Sequence, residues 1–209
     1  AMGYAALNVN AGGYNSAFGH HSMLVNTTGA SNSSFGAYSM DANTTGSQNN
    51  AIGASALRNN TTGSRNIAIG YQAYDAADTE NDNLAIGYDA LGGDIAGGEY
   101  NVAVGNFSLD ANTSGDYNVS IGYNSSTANT TGAANVSVGH EALKANTTGG
   151  SNIAIGYKTS DANTTGNYNV AVGRQALAAN TTGSANIAIG YKTSDANTTA
   201  DNNTAIGHQ

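Results

Sequence analysis

Residues 152–168 read Asn-Ile-Ala-Ile-Gly-Tyr-Lys-Thr-Ser-Asp-Ala-Asn-Thr-Thr-Gly-Asn-Tyr, and close variants of this stretch follow one another along almost the whole chain. The glycine at its fifth position occurs twelve times at a constant spacing, except that the step from Gly87 to Gly105 is longer by a single position. With the first asparagine as position one, the consensus is Asn-(Val/Ile)-Ala-Ile-Gly-Tyr-x-Ala-Leu-x-Ala-Asn-Thr-Thr-Gly-Ser-x. A fixed short period indicates a repeat architecture in which each unit packs on its neighbours.

The composition of each repeat favours strands over helices. β-Branched residues occupy positions two and four, and the Asn-Thr-Thr-Gly segment is typical of a turn. We predict a strand at positions two to four and a second, weaker strand near positions eight to eleven. One repeat is then one coil of an all-β, parallel β-solenoid with 17-residue coils. Residues 1–209 form a single domain of about twelve coils, about 58 Å long at the strand spacing of about 4.8 Å.

Three columns of residues are expected if the coils stack. Ile and Val at positions two and four are predicted to form a dry core against Leu at position nine. Gly at position five permits a backbone conformation or close approach that a Cβ would oppose. Asn at position one is predicted to form an amide ladder between coils. This structural ladder includes Asn66, Asn83, Asn101, Asn118, Asn135, Asn152, Asn169 and Asn186.

One coil has few large apolar side chains to stabilise its seventeen residues. About three large apolar side chains contribute about 1.5–3 kcal/mol each, whereas ordering each residue of the coil costs about 1–2 kcal/mol. In Ile67-Ala68-Ile69 both strand faces are apolar, and a small outward residue at position three suits contact with another chain. We therefore predict a homo-oligomer, and specifically a trimer. The alternative is a monomeric solenoid with a wet, alanine-rich face.

The repeat core resembles a known family. Asn66-Ile67-Ala68-Ile69-Gly70 and Asn203-Thr204-Ala205-Ile206-Gly207 are similar to the head repeat of trimeric autotransporter adhesins, the YadA-like β-roll. Ala154-Ile155-Gly156-Tyr157 with Asn163-Thr164-Thr165-Gly166 looks like repeats of phage tail fibres and related surface fibres. The resemblance implies a left-handed parallel β-roll in an intertwined or side-by-side homotrimer.

The same resemblance implies a location and a role. It places the chain outside the cell, on a cell surface or in a virion fibre, with an adhesive or spacer role. The adhesin heads have a shorter repeat, so each coil here needs a longer turn. No coiled-coil stalk, membrane anchor or chaperone domain is recognisable in the sequence, and we interpret the chain as a fragment of a longer fibre.

Composition excludes several function classes. The chain has no Cys, which removes a disulfide scaffold, a Cys-bound metal site and a thiol nucleophile. Six basic residues against fourteen acidic ones do not provide the basic surface that nucleic-acid binding needs. No run of 18 apolar residues is present, so no membrane insertion is expected. Because no Ser-His-Asp arrangement stands out, we predict no enzyme, no cofactor and no metal.

Tyrosines recur at position six. Exposed aromatic columns stack on sugar rings, so these residues are the candidate ligand-binding site; alternatively, the rings cover the glycine corner and shield backbone hydrogen bonds. His20, His140 and His208 share the column, but only His20 has a second histidine beside it, so a metal site is not expected. The candidate tyrosines are Tyr71, Tyr88, Tyr123, Tyr157 and Tyr191.

The coils between residues 75 and 100 are irregular and acidic. Ala77-Asp78-Thr79-Glu80 replaces the Asn-Thr-Thr-Gly turn, and the next coil carries a one-residue insertion within 92–98. Clustered carboxylates suit Ca²⁺, but the spacing matches no known calcium loop, and a solvated bulged loop is the preferred interpretation. The acidic residues are Asp75, Asp78, Glu80, Asp82, Asp89, Asp94 and Glu99.

The sequence therefore indicates a structural or adhesive fibre segment. Its expected partners are further copies of itself and a cell-surface glycan or protein receptor, with no nucleic acid and no membrane. The alternatives are a passive spacer without a ligand and an ice-binding solenoid. Ice binding requires flat, paired threonine columns, whereas adjacent residues such as Thr44 and Thr45 point to opposite sides of a strand.

Overall fold

The computed structural model describes residues 1–76, 78–93 and 98–209. It shows an all-β, parallel β-solenoid of about eleven turns with 17-residue coils. No helix occurs within these ranges. The all-β class and the predicted coil length of the solenoid are therefore confirmed.

Each coil contributes one three-residue strand to a single twelve-stranded sheet, in which the strands follow one another in chain order. The strands are β1 (Ser16–Phe18), β2 (Ser33–Phe35), β3 (Asn50–Ile52), β4 (Ile67–Ile69), β5 (Leu84–Ile86), β6 (Val102–Val104), β7 (Val119–Ile121), β8 (Val136–Val138), β9 (Ile153–Ile155), β10 (Val170–Val172), β11 (Ile187–Ile189) and β12 (Thr204–Ile206).

Equivalent repeat positions lie directly above one another. Ile153 pairs with Val170, the residue at the same position of the next repeat, and the same step along the chain holds for the other pairs of neighbouring strands except one. The exception is the pair of Leu84 and Val102, whose step is longer by a single position. The insertion in this coil is therefore accommodated outside the strands, and the sheet register continues unchanged.

The strands turn inward the face that the sequence analysis placed outside. At position three, Ala68 and Ala154 are completely buried, whereas Ile67, Ile153 and Ile155 at positions two and four are 37–39% exposed. The predicted core of Ile and Val is thus wrong, and so is the outward placement of the small residue. In β4, β9 and β11, for example, the central residue is buried and the two flanking residues are not, which is the reverse of the prediction.

The width of the coil explains this exchange. The interior around Leu143 holds only small apolar neighbours, Ala142 from position eight and Ala154 from position three. In a closely packed interior, larger side chains at position three would force the backbone apart. The large residues of positions two and four therefore form a row on the outer surface, which we call the outer stripe and which comprises both positions in β1–β12.

Position nine supplies the largest buried side chains, as predicted for Leu at this position. In the first six coils one apolar cluster runs from Ala17 to Leu109. Further along, Ser126 and Ser160 alternate with Leu at this position, and the apolar residues fall into two separate clusters. The Ser160 hydroxyl is buried and has no hydrogen-bond partner. The core is consequently weaker in the second half of the rod.

The second strand expected near positions eight to eleven is absent from the described residues. Positions seven and nine adopt left-handed backbone conformations, with φ of 49° at Lys158 and 52° at Ser160. An extended strand is incompatible with these angles. The segment nevertheless bonds to both neighbouring coils, since Lys158 N–H donates to the His140 carbonyl at 3.0 Å and Ser160 N–H to the Ala176 carbonyl at 3.0 Å.

Position five is the sharp corner after each strand. Gly139 has φ of 138°, a region that only glycine adopts without strain. A Cβ built on Gly139 would also overlap the carbonyl oxygen of Gly156 in the next coil. Both reasons given for glycine at this position, the backbone conformation and the close approach, are therefore present at this corner.

The asparagines of position one form a buried hydrogen-bonded column. Asn152 Oδ1 accepts the backbone N–H of Asn169 at 3.0 Å, and Asn152 Nδ2 donates to the Gly166 carbonyl at 2.8 Å. The first bond joins two coils, and the second closes the coil to which Asn152 belongs. The Oδ1-to-backbone bond is repeated between all successive position-one asparagines.

A second amide ladder, at position twelve, was not anticipated from the turn motif. Asn163 Nδ2 donates to Asn146 Oδ1 at 3.0 Å and to the Gly166 carbonyl at 3.1 Å, and Asn163 is fully buried. The ladder is incomplete beside the irregular coils, where Asn60 Oδ1 has no hydrogen-bond partner. Asparagine in Asn-Thr-Thr-Gly therefore acts inside the coil as well as in its turn.

Replacing Asn152 by Ala should destabilise the rod by about 3 kcal/mol. The change leaves the buried N–H of Asn169 without a partner, at about 1–3 kcal/mol, and removes one of the two hydrogen bonds that the Gly166 carbonyl accepts, at about 0.5–1.5 kcal/mol. Urea unfolding followed by circular dichroism measures the effect. Asn203→Ala is the matched control, because Asn203 is exposed, and it should cost less than about 1 kcal/mol. Equal losses in the two variants would contradict the role of the ladder.

Replacing Ala185 by Gly should stabilise the rod by about 0.5–1 kcal/mol. Ala185 is exposed and has φ of 56°, a conformation that costs a residue with a Cβ about 1–2 kcal/mol, part of which is offset by the greater freedom of glycine in the unfolded chain. Ala179, in the same coil, is not among the residues with positive φ. Ala179→Gly should therefore lower the free energy of unfolding in the same urea experiment.

Candidate functional site

The side chains that follow the glycine corner form a continuous row along the rod. Position five redirects the chain, and positions six and seven then project from the surface at the spacing of the coils. We call this row the aromatic ladder. Its members are Tyr71, Tyr88, Phe107, Tyr123, His140, Tyr157, Arg174, Tyr191 and His208.

The first part of the ladder is entirely aromatic. Tyr71 and Tyr88 stack with ring centroids 5.6 Å apart and planes inclined by 9°. Phe107 meets Tyr88 and Tyr123 edge-on, with centroid distances of 5.1 Å and 6.1 Å. Offset and edge-on contacts at these distances are attractive, so the ladder stabilises the stacking of coils in addition to presenting rings to solvent.

The second part alternates tyrosine with histidine and arginine. The His140 ring lies 5.3 Å from both Tyr123 and Tyr157. The guanidinium carbon of Arg174 lies 5.6 Å from the Tyr157 ring centroid and 5.7 Å from that of Tyr191. Both distances are within the range of a cation–π contact.

All five candidate tyrosines thus lie in one row, and Tyr71, Tyr88, Tyr123 and Tyr157 are between 42% and 52% exposed. Sequence reasoning missed Phe107 and Arg174. Arg174 occupies position six, so its place in the column is readable from the repeat, but an aromatic motif does not select it. Phe107 occupies position seven, and only the left-handed backbone there (φ of 57°) brings its ring into the same row.

Positive charge is concentrated beside the last tyrosines. The ammonium nitrogens of Lys158 and Lys192 lie 5.8 Å from the ring centroids of Tyr157 and Tyr191. Lys158 also contacts Glu141 at 3.2 Å, and hydrogen bonds from Lys144 and Lys158 lower the pKa of the Glu141 carboxyl. Within the described ranges, no carboxylate forms a salt bridge with Arg174 or Lys192.

The middle of the rod carries the opposite charge. Burial and the charge of Asp89 raise the pKa of the Asp110 carboxyl, and burial is also the main cause of the raised pKa of Asp75. The charge of Asp89 raises the pKa of the neighbouring Tyr88 hydroxyl. These carboxylates repel one another, and the ladder therefore has an acidic segment and a basic segment along its length.

The other acids of the irregular coils have separate structural contacts. Asp82 pairs with Arg65 through two bonds of 2.6 and 2.7 Å, and Glu80 accepts backbone N–H groups of Asp78 and Thr79. Glu99 accepts a bond from Asn81 at 2.8 Å. Asp94 and the rest of 94–97, and Ala77, lie outside the described residues. Among the described residues, no three His, Cys, Asp or Glu side chains converge as a metal site would require.

A small ring cluster lies at the start of the rod. His20 and His21 stack with centroids 4.1 Å apart, between Tyr4 on one side and Tyr38 on the other. The guanidinium of Arg58 lies 5.4 Å from the Tyr38 ring centroid. This is the one place in the described chain where a guanidinium contacts a single tyrosine rather than two, which makes it a natural comparison for Arg174.

No known relative identifies the chain. Comparisons with models of protein families, with curated proteins and with solved structures give no match. Within the described residues there is also no helix with the length and apolar character needed to cross a membrane. The outer stripe and the aromatic ladder are the surface features of the described chain that bear on its function.

Replacing Asp110 by Asn should raise the thermal midpoint at pH 7. The folded-state pKa of Asp110 is raised above its ordinary value of 3.8, so the ionised form is penalised at neutral pH, and stability is regained as the pH falls through the raised pKa. The advantage of the variant should therefore disappear between pH 7 and about pH 4. Thermal unfolding at a series of pH values measures it.

Asp82→Asn provides the control of opposite sign. The contact with Arg65 lowers the pKa of Asp82, so its contribution is present above its ordinary pKa and is lost as the pH falls through the lowered value. This variant should be slightly less stable than the native chain at pH 7 and equal to it in strong acid. If both variants shifted the midpoint in the same direction at pH 7, the charge assignment would be wrong.

Proposed function

We propose that this chain is a structural and adhesive fibre segment that assembles with copies of itself along the outer stripe. The stripe is the observation that carries the proposal. From β4 to β11, positions two and four are all apolar, and no charged residue occupies either position anywhere in β1–β12. Ile52, Ile121 and Ile155 are 47%, 39% and 39% exposed.

The dimensions of the stripe suit association between chains. Twelve strands at about 4.8 Å extend about 53 Å, and with a width of about 10 Å the stripe covers roughly 500 Å² per chain. The largest apolar patch on a typical monomer covers about 300–600 Å² and is often functional, so the stripe is of the size of a single functional surface. Two facing stripes bury about 1,000 Å² in total, near the lower limit for a specific interface, and a third chain around the same axis increases this area.

We infer the trimer and the left-handed coil from the resemblance of the repeat to those of adhesin heads and tail fibres. The stripe is only one strand wide. An arrangement in which each chain turns its stripe towards a shared axis is therefore favoured, because the apolar side chains of all the chains are then buried against one another. The resemblance likewise supports an extracellular, cell-surface or virion location. In such a fibre the aromatic ladder, two residues beyond the stripe and past the glycine corner, presents the surface for receptor or glycan attachment.

The threonine turns argue against ice binding as the main role. The hydroxyls at position thirteen donate to the next coil: Thr130 Oγ1 to the Thr147 carbonyl at 3.0 Å and Thr147 Oγ1 to the Thr164 carbonyl at 3.1 Å. These hydroxyls hold the coils together and are not available for a lattice of water. One exposed threonine column remains, at position fourteen, whereas ice binding requires two such columns side by side.

Light scattering should give the mass of a trimer, three times the chain mass of 20.9 kDa. Ile155→Asp places a charge in the stripe, where burial of an unpaired carboxylate is costly, and should yield monomers with the circular-dichroism spectrum of the native coil. Thr148→Asp adds the same charge at an exposed turn and should leave the trimer intact. A native chain that is monomeric at all concentrations would refute assembly through the stripe.

A further inference from the structure

The basic segment of the aromatic ladder has a composition that its structural role does not require. Tyr157, Lys158, Arg174, Tyr191 and Lys192 lie within three successive coils and bring three cations to positions six and seven of the repeat, in a chain with a net charge of −8. The acids of the same coils, Asp161, Asp195 and Asp201, lie at other repeat positions. Stacking of coils is achieved elsewhere by rings alone, as between Tyr71 and Tyr88. Lys158 pairs with Glu141, whereas Arg174 has no ion-pair partner among the described residues, so the presence of Arg174 needs a separate explanation.

Arg174 is held in place by two rings, while its hydrogen-bonding groups remain free. Its guanidinium lies between Tyr157 and Tyr191 at nearly equal distances, 5.6 and 5.7 Å. In the described part of the chain, its side chain has neither a hydrogen bond nor a salt bridge, and the residue is exposed. A guanidinium positioned in this way presents several parallel N–H donors to an anion from solution.

The two rings supply a second type of contact beside the cation. Tyr157 and Tyr191 are two coils apart, about 9.6 Å at the strand spacing, and each has an ammonium group 5.8 Å from its centroid. The ring faces are covered within the ladder, by Arg174 between the two rings and by His140 and His208 beyond them, so a ligand meets the outer ring edges and hydroxyl groups. Tyrosine hydroxyls hydrogen-bond to sugar hydroxyls, and arginine and lysine pair with a carboxylate or sulfate group. A linear ligand with sugar rings and regularly spaced negative charges matches both contacts.

We propose that this segment binds an anionic saccharide chain, with Arg174 pairing with an acidic group and the outer edges and hydroxyl groups of Tyr157 and Tyr191 contacting the flanking sugar units. This rests on the proposed adhesive role and names the ligand class for it. The acidic segment around Asp75, Asp89 and Asp110 repels the same ligand, so binding is confined to the basic end of the ladder.

Isothermal titration with three tetrasaccharides tests the proposal: hyaluronan-derived (carboxylated), heparin-derived (carboxylated and sulfated) and chitotetraose (neutral). At least one anionic probe should bind about tenfold or more tightly than the neutral probe, since a charge-assisted hydrogen bond has about this effect. Binding should weaken at 0.5 M salt because the site is exposed. The comparison of the two anionic probes distinguishes the carboxylate from the sulfate as the recognised group.

Variants locate the site. Arg174→Gln should weaken anionic binding about tenfold, and Arg174→Lys, which keeps the charge, should retain part of it. Tyr157→Leu should weaken binding of the anionic probes by several-fold. Arg58→Gln is the matched control, because the Arg58 guanidinium also lies over a tyrosine ring, that of Tyr38, but outside the segment; it should leave the affinity unchanged. Circular dichroism and light scattering verify that each variant keeps the fold and assembly.

The outcomes separate this inference from the fibre proposal. Equal binding of neutral and anionic probes, or native affinity in Arg174→Gln, would overturn the anionic saccharide site while assembly through the stripe still stands. The same holds if neither anionic probe binds to a chain that is trimeric by light scattering. A monomeric chain that binds the anionic probes through Arg174 would overturn the assembly and keep the site.

Discussion

The close packing of each coil on the next determines the register, the interior and the surface of this molecule. At each corner the backbone of adjacent coils approaches so closely that a Cβ on Gly139 would overlap the carbonyl of Gly156. The approach is maintained by buried asparagine side chains, which donate and accept within and between coils. Because buried amides are costly unless paired, the ladders select a single register. The narrow interior, the outward Ile and Val residues and the row of rings all follow from this constraint.

The sequence was sufficient to predict the all-β solenoid, its coil length and the superposition of residues such as Ile69 and Ile86, because the period and the turn residues act locally. It did not reveal which strand face is buried. Alternation separates Ala68 from Ile67 and Ile69, but the choice of face depends on the interior volume, and that volume is set by the left-handed residues on the far side of the coil. Non-glycine residues with positive φ, such as Leu143 and Lys158, carry no distinct sequence signal.

The candidate site was predictable in part for the same reason. Tyr71 and Tyr157 share a repeat position, so their column was readable from the sequence, whereas the contribution of Phe107 depends on a backbone conformation. The correction of the strand faces strengthens the case for assembly: the small residue expected to meet another chain is inside, and a broader apolar surface takes its place. One side of each strand then faces the interior of the coil, and the other is partly exposed.

The coil with the insertion shows how the architecture tolerates change. Leu84 and Val102 are paired in register although their coil is longer than the others, so the additional residue lies outside the strands and does not shift the register of the adjacent coils. A foreign peptide inserted outside the strands would be carried on the sheet without disturbing the pairing of adjacent repeats. The same property lets whole repeats be duplicated or deleted in evolution, so that the reach of the rod changes while its cross-section stays the same.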